Sequence, residues 1–186
     1  MMDLDFDEFL KGLWGKSDSN KHNWVKWVHR NLSENHCPEC LVLDGCWFAG
    51  NNHPRHPHHP HCHCVLENIP KSEVENKATA YADYRKFDPY LFNTKGEYTH
   101  GKEKLFNAWG FTADDSEYLK KEFERQALQK YISGDYQLGL LNDKGQRISI
   151  RIKLSRKDKA DTVSFISGWM VYPNGIIQLT TPYGGK

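Results

Sequence analysis

The sequence predicts an α+β protein in two parts, on three observations. All five cysteines lie between positions 37 and 64, and nine of the ten histidines lie at or before position 63. Between positions 102 and 131 the apolar residues recur at helical spacing. From Asp135 onward the spacing switches to two, the period of a strand with one buried face. The reading is a small Cys/His-rich module over residues 1–70, followed over 71–186 by helices and then an antiparallel four-stranded meander.

The elements follow in order. Leu4, Phe6, Phe9, Leu10, Leu13 and Trp14 form a broad apolar stripe, which predicts a short amphipathic helix over Asp3–Trp14. Gly15–Asn20 is a polar break. Trp24, Val25, Trp27, Val28 and Leu32 predict a second helix over His22–Leu32. Gly50–Pro60 is rich in Asn, His and Pro and reads as irregular, because each proline removes a backbone donor and fixes φ. Lys102–Trp109 predicts a short helix that stops at Gly110. Thr112 with Asp114 and Asp115 then marks the start of a longer helix to about Tyr131. Its buried face is Leu119, Phe123, Ala127 and Tyr131, at spacing four.

In the last third, Ile148, Ile150, Ile152 and Leu154 alternate with Arg147, Ser149, Arg151 and Lys153, a strand with one apolar and one largely basic face. The turn Asn142–Gly145 precedes it. Thr162–Tyr172 is a strand rich in β-branched and aromatic residues. Tyr172-Pro-Asn-Gly175 is a turn, and Ile176–Thr181 returns.

Composition bounds what the chain can do. Hydrophobic residues make up 38% and charged residues 26%, a globular balance. No apolar run reaches the roughly 18 residues of a membrane span. The acidic start MMDLDFDEFLKGLW lacks the basic and apolar regions of a secretory signal, which predicts a chain made in the cytoplasm. Residues 1–70 carry 6 Lys/Arg against 9 Asp/Glu, and residues 71–186 carry 19 against 15. The second part is thus modestly basic, which permits contact with phosphate without requiring it.

The Cys/His spacing points to a metal. Cys37-Pro-Glu-Cys40 is followed after 18 residues by His59-Pro-His-Cys62-His-Cys64. A Cys-x-x-Cys turn aims two thiolates at one ion, and a second knuckle completes a tetrahedron, the pattern of a structural zinc site. Seventy residues bury too small a core alone, so a metal staple has a physical job here. The favoured ligands are Cys37, Cys40, His59 and Cys62, with Cys64 a rival for either of the last two. Cys46 reads as a small buried residue, and the remaining loop histidines as non-ligands.

This segment, with Trp24, Val28, Cys37-Pro-Glu-Cys40, Asp44-Gly45 and His59-Pro-His-Cys62-His-Cys64, resembles the end of the Mu F-like phage head morphogenesis (minor head protein) domain. That family carries the pattern C-P-x-C, L-D-G, H-P-x-C-R-C; here His63 stands for the usual arginine and Cys46 follows the Asp-Gly pair. The resemblance implies a phage or prophage protein with head or portal proteins as partners, cytoplasmic in the producing cell and associated with the virion when assembled.

Gly101-Lys102-x-Lys104-x-Phe106-x3-Gly110-Phe111-Thr112, the helix to Tyr131 and the meander ending Leu179-Thr-Thr-Pro-Tyr183 resemble phage-associated nucleases of the barnase–EndoU–colicin–RelE class. The resemblance implies a metal-independent RNase toxin, with RNA as substrate and an immunity protein as partner. Such cleavage needs a base for the 2′-hydroxyl, an acid for the leaving oxygen and cations on the phosphate. His100 is the candidate base or acid, the only histidine of this part. Lys104, Arg151, Thr181 and Tyr183 are the other candidate catalytic residues. Lys102, Arg147 and Lys153 are candidate nucleic-acid contacts. Two other functions fit the same residues: a non-enzymatic head or capsid component, and a module that grips nucleic acid without cutting it.

Overall fold

The computed structural model describes residues 23–30 and 37–185; the helix expected over Asp3–Trp14 lies outside them. The element order is β1 (Trp24–His29), α1 (Pro38–Leu43), β2 (Trp47–Ala49), β3 (Cys64–Ile69), α2 (Lys71–Lys77), β4 (Thr79–Tyr81), two short helical turns (Tyr84–Lys86 and Phe87–Leu91), α3 (Lys102–Asn107), a turn (Ala113–Asp115), α4 (Ser116–Ile132), β5 (Gln137–Asn142), β6 (Gly145–Ser155), β7 (Thr162–Tyr172) and β8 (Ile176–Gly185). The fold is α+β.

The first part is built on an antiparallel sheet of order β2-β1-β3. The helix expected over His22–Leu32 is instead the central strand β1. The reason is burial on both faces. Trp24 packs edge-on against Tyr131 at 5.0 Å, while Trp27 packs on the opposite side against His56 at 5.2 Å. A strand sandwiched in this way loses its alternation, and tryptophans three apart then imitate a helical stripe.

The second part is a sheet of order β4-β8-β7-β6-β5. β5 to β8 form the expected antiparallel meander. A fifth strand, β4, extends it and runs parallel to β8. β6 turns Ile148, Ile150, Ile152 and Leu154 inward, and α4 turns Leu119, Phe123, Ala127 and Tyr131 inward; all are buried. The Asp115 carboxylate accepts the Thr112 N–H at 2.9 Å at the start of this helical segment, as the sequence signals there predict. At the uncovered end of the sheet edge, Gln126 takes the place of a strand: it accepts the Lys153 N–H and donates to the Lys153 carbonyl.

One hydrophobic core runs through both parts. The Tyr131 hydroxyl donates to the Trp47 carbonyl at 2.6 Å, and the Tyr136 hydroxyl donates to Asn52 and accepts from the Ala49 N–H. The β7–β8 turn reaches back as well: the Asn174 N–H donates to the Gly45 carbonyl. Gly175 sits at φ +77°, and a β-carbon there would lie 2.6 Å from the Trp47 ring, so only glycine fits.

Candidate functional site

The metal candidates converge. Pro38 opens α1 with its φ already helical and no N–H to satisfy, so Cys37 stands just before the helix and Cys40 in its first turn. The second arm is a turn closed by the Cys62 N–H on the His59 carbonyl at 3.2 Å, with His61 left-handed at φ 60°. Cys40 Sγ lies 3.3 Å from His59 Nε2 and 3.8 Å from Cys62 Sγ. Two thiolates on one tetrahedral zinc-sized ion stand about 3.8 Å apart. Cys37, Cys40 and His59 form one potential metal-binding group and Cys40, Cys62 and Cys64 another, so Cys40 is shared and the other four expected ligands gather around it. This cluster can bind a metal ion. His59 Nδ1 donates to the Pro60 carbonyl at 2.8 Å, which turns the Nε2 lone pair toward the sulfurs.

The electrostatics fit a cation. Burial, then the neighbouring Cys64 and Cys62 sulfurs, push the Cys40 thiol well above the ordinary range. Burial works against Cys62 too, but the Cys64 and His58 backbone groups and the adjacent thiols outweigh it and bring Cys62 down to about 7. Thiols packed this closely cannot all ionise without a positive ion between them. Cys46 lies apart, buried beside the Val42 and Val171 carbonyls, its thiol pushed up to about 12 by burial. Of the loop histidines, His56 is tied to the Cys64 carbonyl, and His58 pairs with Glu39. Cys37, Glu39 and His58 are also close enough to form a potential group.

A second cluster gathers where Thr181 of β8 meets α3 and the segment before it. The Lys102 ammonium donates to the Thr181 hydroxyl at 3.0 Å and to the Tyr90 hydroxyl at 3.1 Å. It also lies 5.1 Å from the Tyr90 ring centre, and Lys86 lies 5.6 Å from the same centre. His100 Nε2 donates to the Tyr90 carbonyl at 2.9 Å, and its Nδ1 accepts the Lys102 N–H at 3.1 Å, with Glu103 at 3.5 Å. The Tyr98 ring stacks on His100 at 5.7 Å. The Thr181 hydroxyl donates in turn to the Tyr183 carbonyl at 3.1 Å. Gly168 opposite makes room: a β-carbon there would meet Thr181 Cγ2 at 2.9 Å.

The sequence profile of a domain of unknown function, DUF6883, matches residues 73–186. The chain belongs to this family. No curated protein and no solved structure matches it. The DUF6883 match contains the whole Lys102 cluster and begins after Cys64, so the metal-binding cluster precedes it.

Within the DUF6883 part, the structure joins His100, Lys102 and Thr181. Tyr183 adds its carbonyl, while its ring packs on Phe165 and Trp109. Lys104 is exposed, two residues from Lys102 and therefore on another face of α3. Arg147, Arg151 and Lys153 line the open face of β6. Arg151 borders a separate depression with Gln137, Ser149 and Asp135. The ladder Thr181–Gly168–Ser149 puts Ser149 two strands from Thr181, about 10 Å of sheet, and Arg151 lies two residues further along β6. The sequence reading missed Tyr90, Tyr98, Lys86 and Glu103. Tyr90 and Tyr98 fall in an irregular stretch without period; the aromatic–basic run Tyr84–Lys86 and Tyr90 was the available signal.

Proposed function

We propose that the DUF6883 part is a metal-independent endoribonuclease and that the Cys/His cluster holds one structural zinc ion. The observation supporting the enzyme most is the Lys102 ammonium, held by two hydroxyls beside His100. An ammonium has three donors; two are engaged, and the third is left for a phosphate oxygen. In the reaction the substrate 2′-oxygen attacks the adjacent phosphorus and the bond to the 5′-oxygen breaks, giving a 2′,3′-cyclic phosphate and a free 5′-hydroxyl. His100 takes the 2′-hydroxyl proton at Nδ1, exchanging the bond from the Lys102 N–H for one from the substrate, and returns a proton to the leaving oxygen. Lys102 stabilises the charge that builds on the non-bridging oxygens. Thr181 and Tyr90 orient it, and the Tyr183 carbonyl orients Thr181. Arg147, Arg151 and Lys153 hold neighbouring phosphates.

The zinc ligands in this reading are Cys37, Cys40, His59 and Cys62, with Cys64 in place of either of the last two. A thiolate-rich tetrahedron leaves no open position, and its contribution is folding energy. The likeness of the metal segment to head morphogenesis domains, and of the second part to phage-associated toxins, supports a phage or prophage setting. There the zinc module docks to head or portal proteins and an immunity protein guards the producing cell.

The test is incubation of purified protein with a mixed RNA in chelator, after circular dichroism shows that the fold survives it. Wild type should cut, and a folded Lys102→Ala variant should not. Absence of cleavage across several RNAs would leave the non-enzymatic head component, and co-purification with head or portal proteins would then identify it.

A further inference from the structure

The cleft beside Lys102 holds more than the proposed reaction uses. It is lined by Asp83, Arg85, Lys86, Tyr90 and Tyr98. Arg85 is neutralised there, because its guanidinium forks onto the Asp83 carboxylate and holds that acid down to about 2. The same carboxylate also feels the Lys86 charge, more weakly, so one acid answers Arg85 and Lys86 together, while Lys102 is held by hydroxyls. Arg85, Lys86 and Lys102 thus outnumber Asp83, and the two ammonium groups beside the Tyr90 ring leave an excess of positive charge that favours an anion.

The aromatic wall is set independently of its own side chain. The Asn93 amide donates to the Tyr98 carbonyl at 2.7 Å, and its oxygen accepts the Tyr98 N–H at 2.8 Å. This backbone clamp presents the half-buried Tyr98 ring to the cleft, braced by His100 in a stack and by Tyr90 edge-on at 4.9 Å. A cationic groove beside a fixed aromatic face is what a polynucleotide with unpaired bases needs: phosphate for the ammonium groups and a base for the ring. A paired base has both faces buried in its own stack and offers the ring nothing.

Building on the nuclease reading, we infer that this cleft is a single-strand subsite, in which one RNA phosphate bridges Lys86 and Lys102 and the adjoining unpaired base lies against Tyr98. The substrate class is thus single-stranded RNA, and Tyr98 and Lys86 select for it.

The experiment uses the full zinc-loaded chain and a fluorescent mixed-sequence 2′-O-methyl oligonucleotide. It lacks the attacking hydroxyl and cannot be cut by the proposed route. Anisotropy is measured for the single strand and for the same strand annealed to its complement. The single strand should bind at least about tenfold tighter than the duplex. Tyr98→Ala should weaken it about 5- to 150-fold, with Tyr98→Phe close to wild type. Lys86→Ala should flatten the salt dependence by about 0.7 in slope. Equal binding of the duplex, a folded Tyr98→Ala with unchanged affinity, or no binding at low salt would each overturn the subsite. The two ideas separate: this binding pattern without cleavage of ordinary RNA sinks the nuclease alone, and cleavage indifferent to Tyr98 and Lys86 sinks the subsite alone.

Discussion

The Tyr131 hydroxyl donates to the Trp47 carbonyl at 2.6 Å, tying the last turn of α4 to a strand of the Cys/His part. Both groups are buried, and burial pushes the Tyr131 phenol far above its ordinary pKa. Removing the hydroxyl leaves a buried carbonyl unpaired, which costs about 1–3 kcal/mol. Tyr131→Phe should therefore lower the urea midpoint without changing the slope. An unchanged midpoint would mean that water replaces the bond.

The same joint shows what was legible in the sequence. α4 and β6 were readable because each buries one face, so Leu119 to Tyr131 and Ile148 to Leu154 kept their periods. β1 was not, because Trp24 and Trp27 bury opposite faces. β4 is three residues long and leaves no period to read. The Cys/His cluster was legible because its spacing is local: Cys-x-x-Cys and the His59–Cys64 run are each short stretches of chain. The Lys102–Thr181 contact spans 79 residues, and no linear pattern links a lysine at a helix start to a threonine in the last strand. Tyr90 and Tyr98 could be placed beside it only by the fold.

If the Cys/His cluster holds zinc as proposed, a chelator should loosen the first part while the second keeps its sheet. Trp27 lies close to the cluster, since its ring packs on His56, whose Nε2 donates to the Cys64 carbonyl. Chelation should thus change tryptophan emission. Metal analysis should give one zinc per chain, lost in Cys40→Ser, the shared member of both groups, and kept in Cys46→Ala. Zinc retained by Cys40→Ser would refute the arrangement.

The Asp115 carboxylate is a source of pH dependence. Burial would raise its pKa, but the Lys157 ammonium at 2.8 Å and the Thr112 N–H hold it below the ordinary carboxylate range. A depressed folded pKa contributes stability that is present above the unfolded value, near 4, and is lost as the pH falls through the folded value. Lys157 is half exposed, so the ion pair is worth roughly 0.5–1 kcal/mol and weakens with salt. Asp115→Asn should lower stability at pH 7 and flatten its fall below pH 4 (measured by thermal unfolding across pH 2–7). An acid limb as steep as wild type would place the effect elsewhere.

His100 separates holding from proton transfer. Its two ring nitrogens engage the Tyr90 carbonyl and the Lys102 N–H, so an alanine there removes a brace as well as an imidazole. Glutamine keeps a donor and an acceptor but cannot carry a proton at neutral pH. If His100 is the proton carrier, His100→Gln should keep the fold and the affinity for the 2′-O-methyl oligonucleotide, yet cut RNA about 10²- to 10⁴-fold more slowly. A His100→Gln rate within tenfold of wild type would make His100 a positioning residue and move the base to the hydroxyls around Lys102.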